Sequence, residues 1–223
     1  MPGKMLKSRK HVFWEALVIT AVIFVLGLLL GISYEASRAD KINEYYIGSE
    51  FALMDTFIFS EVIETEDISC DLLVESNFQF ADDIYEKAKV IERYEASGRI
   101  TEFTELAHKR DDLLRTFLWI NSLKIKEKCG HDRDIIAYFY SYNTEDLAKQ
   151  ATQNVWSKIL FDLKQEKGSD IILLPIAGDN NITSLEPMFD KYNVDTLPVL
   201  IINNKSVLTE VSSVESIKKI IED

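Results

Sequence analysis

Twenty-two consecutive residues, Val12 to Ser33 (VFWEALVITAVIFVLGLLLGIS), carry one charge, Glu15. As a helix rising about 1.5 Å per residue they would extend roughly 33 Å, against a hydrocarbon core of about 30 Å. A helix at the surface of a soluble protein needs a polar face, and this stretch has none. Trp14 and Tyr34 bracket it as interfacial aromatics do, and Glu15 lies within a turn of one end, where it can reach the headgroups. Lys4, Lys7, Arg9 and Lys10 precede the run without an acid, whereas Arg38 and Lys41 follow it among acids. The positive side stays inside. The expectation is a single-pass protein with residues 1–11 as a cytoplasmic tail, 12–33 in the lipid bilayer, and the rest outside the cytoplasm. The rival is a cleaved signal peptide, with Ser37-Arg38-Ala39 placed before Asp40. The apolar run exceeds the roughly 7–15 residues of a signal core, so an uncleaved signal-anchor is the reading adopted. Gly27 and Gly31 have GxxxG spacing, compatible with a homo-oligomer formed through the span.

The net charge is −12 over 223 residues. With four cations and no acid in the first eleven positions, the remainder is more acidic still. Such a surface disfavours nucleic acid and anionic lipid as partners. Apolar residues make up 47% of the chain, enough to expect a packed core. Three scattered histidines (His11, His108, His131) and two cysteines do not form a zinc pattern, and no cofactor signature is present.

From Ala36 to Lys128 there is no proline, which favours long helices. The first continues to Glu64, with Ile47, Phe51, Met54, Ile58 and Val62 as its apolar stripe and Thr65-Glu66-Asp67 as its break. The second spans about Ile68–Ala96, with Leu73, Phe80, Ile84, Ala88 and Ile91 facing one way, and turns at Ser97-Gly98. The third spans about Ile100–Lys128, with Phe103, Leu106, Leu113, Phe117 and Ile120 on one side, and ends at Gly130. An antiparallel helical bundle or stalk over 34–130 follows. If the last two helices fold back at Gly98, Cys70 and Cys129 reach the same end. There they can close a disulfide worth on the order of 3–4 kcal/mol in an oxidising compartment. Two unrelated buried thiols, or a reactive pair, remain open.

Past Gly130 the pattern alternates. Asp134–Tyr140 and Asp170–Ala177 are candidate buried strands around a helix that Asn143 or Thr144 caps and that runs to Lys167, its inner face Leu147, Ala151, Val155, Ile159 and Leu163. Thr183 and Glu186 have capping-box spacing for a helix to about Asn193. Val199–Asn203, an Asn203-Asn204 turn, Ser206–Val211 and a helix over Ser213–Ile221 complete a β-α-β-α-β-β-α order. The long crossover predicts a parallel pair, and the hairpin adds antiparallel strands to make a mixed sheet.

Over residues 131–223 the chain resembles the thioredoxin-like superfamily. Asp134–Ser141 is similar to the family's central strand. The run Tyr192-Asn193-Val194-Asp195-Thr196-Leu197-Pro198-Val199-Leu200 is similar to its cis-proline loop, and Asn203-Asn204-Lys205 sits where its final hairpin turns. The resemblance implies a cis bond at Leu197–Pro198, with a trans proline opening a strand as the alternative. The family's Cys-x-x-Cys should begin the first long helix, and that stretch is Ser141-Tyr142-Asn143-Thr144-Glu145-Asp146-Leu147. It offers no sulfur, and thiol–disulfide exchange needs one. The degenerate positions are therefore Ser141, Asn143, Thr144 and Leu147, with no catalytic residue assigned and no histidine in the segment to act as a base. The resemblance also implies a groove for extended peptide, which Tyr140, Tyr142, Leu197 and Pro198 would line; the alternative is that these residues simply pack the domain.

Two functions follow as expectations. One is a binding, scaffold or chaperone-like module whose partner is an extracytoplasmic protein or peptide. The other is a membrane-tethered oxidoreductase using Cys70 and Cys129 or a partner's thiols. Asn181-Ile182-Thr183 and Asn204-Lys205-Ser206 match the N-glycosylation pattern and are compatible with exposure outside the cytoplasm.

Overall fold

In the computed structural model, residues 5–95, 102–131 and 133–222 are described. The chain divides into two compact units, one to Gly48 and one from Ser49 onward.

Helix α1 spans Met5–Glu64. Within it, His11–Tyr34 is long and apolar enough to cross a membrane by length and composition. Its Thr20 hydroxyl donates to the Ala16 carbonyl at 2.9 Å, so that polar group is satisfied within the helix. A Cβ added at Gly27 or Gly31 would meet nothing within 4 Å.

The second unit begins with the end of α1, followed by α2 (Cys70–Glu95) and α3 (Glu102–Cys129). The expected break after Glu64 is present, with Asp67 at φ 66°. The Ser97-Gly98 turn lies outside the described residues.

The apolar stripe expected to bury α1 points outward instead. Ile47, Phe51, Met54 and Ile58 are all more than half exposed, while Ser49, Thr56, Phe59, Ser60 and Ile63 are buried. The reason is a polar ladder from α3. Arg110 donates to the Ser49 hydroxyl (3.1 Å), Asn121 to the Thr56 carbonyl (3.3 Å) and Lys124 to the Ser60 hydroxyl (3.3 Å). Lys128 then caps the helix end by donating to the carbonyls of Ile63 and Thr65 at 2.7 and 2.6 Å. The long polar side chains of α3 thus reach across to the small-residue face of α1 and supply the contacts.

The face of α2 follows expectation, with Leu73, Ile84, Ala88 and Ile91 buried. That of α3 follows it only in part. Leu113, Phe117 and Ile120 are half-buried and Leu106 is exposed, the Phe103 side chain lies outside the described residues, and Ala107, Leu114, Leu118, Trp119 and Ile125 are the buried ones. Helix α3 has neighbours on several sides, so a single stripe cannot describe it; buried Asn77 of α2 donates to its Ser122 at 2.8 Å.

Four strands follow: β1 (Asp134–Tyr140), β2 (Ile171–Ala177), β3 (Val199–Ile202) and β4 (Ser206–Leu208). Their order is β2-β1-β3-β4, with β1 parallel to β2 and antiparallel to β3, and β3 antiparallel to β4. This four-stranded mixed sheet is consistent with a thioredoxin-like domain. Alternation along the strands makes two cores. Ile135, Ala137, Phe139, Val199 and Ile201 meet Leu114, Leu118 and Trp119 of α3 on one face. Ile136, Tyr138, Leu200 and Ile202 meet Trp156, Leu160 and Leu163 of α4 (Leu147–Lys167) and Ile217 of α6 (Val214–Glu222) on the other. Helices and sheet thus share a core across position 130.

The start of α4 differs from expectation. Asp146, not Asn143 or Thr144, is its cap, accepting from the backbone of Ala148 (2.9 Å) and Lys149 (3.2 Å). Its inner face is Trp156, Leu160 and Leu163, with Leu147 and Val155 exposed, because the bulky Trp156 takes the central place over the sheet. The Thr183/Glu186 capping box is also absent. A short 3-10 turn (Thr183–Leu185) leads into α5 (Glu186–Tyr192), and its entry has no side-chain cap. Asn203 and Asn204 both adopt positive φ (52° and 59°), as a tight hairpin demands. Asn203 further ties that turn to β1, accepting from Ile135 N (2.9 Å) and donating to Asp134 (2.7 Å).

The outer edge of β2 is blunted by side chains. Arg115 donates to the Pro175 carbonyl at 2.7 Å, Lys164 to that of Ile171 at 2.8 Å, and Asp112 accepts from Ala177 N at 3.0 Å. Pro175 has no N–H to offer. An edge so occupied is a poor template for another strand.

Candidate functional site

The carboxyl ends of β1 and β2 bring together the stretch where the thioredoxin-like pattern would carry its dithiol. The loop after β1 is held at its backbone. Gln153 of α4 accepts from Ser141 N (2.8 Å) and donates back to the Ser141 carbonyl (3.1 Å). Asp179 accepts from Tyr142 N at 2.8 Å. The Gln150 side chain donates to the Thr144 carbonyl at 2.5 Å, and the Thr144 hydroxyl accepts from Asp146 N at 3.3 Å. Ser141 is buried, Asn143 is exposed, and Leu147 is 77% exposed at the head of α4.

Beneath this loop lies a polar network that the sequence reading did not foresee. His108 of α3 is 8% exposed and Asp112, one turn later, is fully buried. Asp112 accepts from His108 Nδ1 at 2.9 Å, from Asn180 Nδ2 at 2.6 Å and from Ala177 N at 3.0 Å. A carboxylate only accepts, so a proton belongs on His108 Nδ1, and Nε2 forms a hydrogen bond with the Tyr140 hydroxyl at 3.2 Å. The His108 ring also lies 3.9 Å from the Tyr142 ring, centroid to centroid. No histidine lies within 141–147, but α3 delivers one underneath. Its signal was the His108-x-x-x-Asp112 spacing, which puts two polar groups on one helix face. Asp179 and Asn180 stand just past the carboxyl end of β2, where open α/β sheets hold ligands.

Next to the network, burial pushes the Tyr138 phenol well above its ordinary range, so it stays neutral. Its ring stacks on that of Tyr140 with centroids 5.8 Å apart.

Across the loop, the Leu197–Pro198 peptide is cis. Pro198 is buried, and Leu197 is half-buried against Gly178. A Cβ at Gly178 would meet both Leu197 Cδ1 and Phe189 Cζ at 3.0 Å, so a larger residue there would make both side chains give way by a few tenths of an ångström. Gly178 N donates to the Tyr140 carbonyl at 2.8 Å. The three residues Gly178-Asp179-Asn180 therefore touch Leu197, Tyr142 and Asp112 in turn.

Cys70 and Cys129 form a disulfide, with Cα atoms 5.6 Å apart across a sequence separation of 59. Cys129 packs against Phe59, Ile63, Leu73 and Ile125. Cys129 and His108 lie on the same helix 21 positions apart, which is about 30 Å of rise. The bridge therefore sits at the opposite end of α3 from the loop at Tyr142.

No protein-family model matches the chain, and no curated protein matches it. Among solved structures it is similar to the germline-specific thioredoxin Deadhead of Drosophila melanogaster, with 15% identity over 46% of this chain and 91% of that chain, at a TM-score of 0.30.

Proposed function

We propose that this chain is a membrane-anchored binding module in which a thioredoxin-like cleft grips extended polypeptide without exchanging electrons. The observation that carries this reading is the separation of sulfur from the cleft. The loop at Ser141–Thr144 is built on tyrosine, histidine and backbone hydrogen bonds, while both cysteines are tied together at the other end of α3. Exchange requires a thiolate at the substrate. A bridge about 30 Å away along a rigid helix cannot supply one.

The cleft suits gripping. Tyr142 and Leu197 are half-buried apolar surface set beside fixed backbone, a combination that can take the side chains of an extended peptide in pockets. Pre-fixing the loop lowers the ordering cost of binding. In this reading the His108–Asp112 pair positions Tyr140 and Tyr142. The anchor is His11–Tyr34, the basic tail stays in the cytoplasm, and the disulfide fits the oxidising side of the membrane.

Binding of an array of extended peptides to the full-length protein in nanodiscs tests this. Tyr142→Ala together with Leu197→Ala should weaken binding about tenfold or more when parent and variant are compared well below both melting transitions, since Leu197 also packs against the core. Unaltered binding in that variant would refute the cleft.

The competing oxidoreductase reading requires the Cys70–Cys129 bridge to open and close during turnover.

A further inference from the structure

The outward face of α1 in the second unit is apolar at its centre and acidic at its border. Phe51, Met54, Phe57 and Ile58 are 73%, 65%, 51% and 57% exposed. Phe57 extends the patch onto α3, its ring 6.4 Å from that of Phe117. Scattered exposed apolar side chains are ordinary, but four on one helix face with an aromatic bridge to the next helix form a contiguous patch.

Charge decides what can cover it. The exposed residues interleaved with the patch are Glu50, Asp55 and Glu61. No Lys or Arg occurs in the sequence between Lys41 and Lys87, while Asp and Glu recur throughout that interval. On the other flank Arg110 is already engaged, with its guanidinium 3.0 Å from the Glu50 carboxylate. A second copy laid face to face would set acid against acid, and anionic lipid would meet the same repulsion. A segment with apolar residues at helical spacing and lysine or arginine on both sides would satisfy the patch and its border together.

We infer that this face is a docking surface for a basic amphipathic helix of another protein, distinct from the cleft at Tyr142. The apolar ridge of the partner covers Phe51, Met54 and Ile58, and its cations pair with Asp55 and Glu61, Glu50 being held by Arg110. Because both sides carry opposite charge, association falls as salt rises.

The test uses the full-length protein in phosphatidylcholine nanodiscs. The probe is a fluorescent helical peptide with leucine at three- and four-residue spacing and lysine elsewhere, compared with its glutamate counterpart. The lysine peptide should bind and the glutamate peptide should not, with affinity dropping at least tenfold between 50 and 300 mM salt. Phe51→Ser with Met54→Ser should reduce binding at least tenfold. These positions are exposed, so melting should be unaffected, and Tyr142→Ala should leave the affinity unchanged. The inference is overturned if neither peptide binds, if both bind alike, or if the Phe51→Ser, Met54→Ser variant binds as the parent does. A protein dimer that this variant dissolves would equally overturn it, because the face would then belong to a second copy.

Discussion

The two ends of α3 are held by different means. At its carboxyl end Cys129 is bonded to Cys70 and packed with Phe59, Ile63, Leu73 and Ile125. At its amino end His108 and Asp112 are held by hydrogen bonds to Tyr140, Asn180 and Ala177. A covalent staple restricts the unfolded chain and has no directional demand on a ligand. A buried polar network fixes side chains to a geometry, and each member depends on the others. The first end is thus built for stability and the second for placement.

Breaking the bridge should give the largest stability loss. Cys70→Ala with Cys129→Ala releases a loop of about sixty residues, worth roughly 4 kcal/mol in the chain-entropy picture. The expected signature is a melting temperature lower by on the order of 10 °C, with peptide binding at the cleft retained well below the new transition. Loss of binding together with the bridge would erase the distinction between the two ends.

Asp112→Ala attacks the other end. It leaves His108 Nδ1, Asn180 Nδ2 and Ala177 N without their acceptor in a buried place, costing about 2–4 kcal/mol. Unlike loss of the bridge, it should also weaken peptide binding at matched foldedness, since Tyr140 and Tyr142 lose their support. Denaturant titration and binding on the same sample separate the two effects. Tyr140→Phe is a finer probe that removes one hydroxyl facing His108, and should cost about 1 kcal/mol. Asp146→Ala removes the α4 cap for about 1 kcal/mol or less. It lies outside the network, so binding should be nearly unchanged.

Much of this architecture was legible in the sequence. Strand β1 matches its expected bounds at Asp134–Tyr140, because a short apolar run between polar turns admits little else. The Asn203-Asn204 turn and the break at Thr65-Glu66-Asp67 follow from residues that tolerate positive φ. The proximity of Cys70 and Cys129 followed from two helices of similar length folding back. Faces were harder to read. The stripe at Phe51, Met54 and Ile58 has sound helical spacing, yet it faces outward, because Ser49, Thr56 and Ser60 are met by long polar residues of α3. Periodicity tells which residues share a side, and it is silent on which side finds a complement. The candidate site was half legible for a similar reason. Tyr140, Tyr142 and Pro198 come from elements whose order marks them. His108 comes from a helix thirty residues earlier, and only packing of α3 on the sheet brings it beneath the loop.

A cleft that holds polypeptide and transfers no electrons adds nothing to a chemical reductant. Reduction of a disulfide-bonded model substrate by the full-length protein in detergent with dithiothreitol, beside the Cys129→Ala variant, measures this. Parent and variant should both match the rate of dithiothreitol alone. A rate above that background in the parent, abolished in the variant, would mean that the bridge exchanges electrons with substrate.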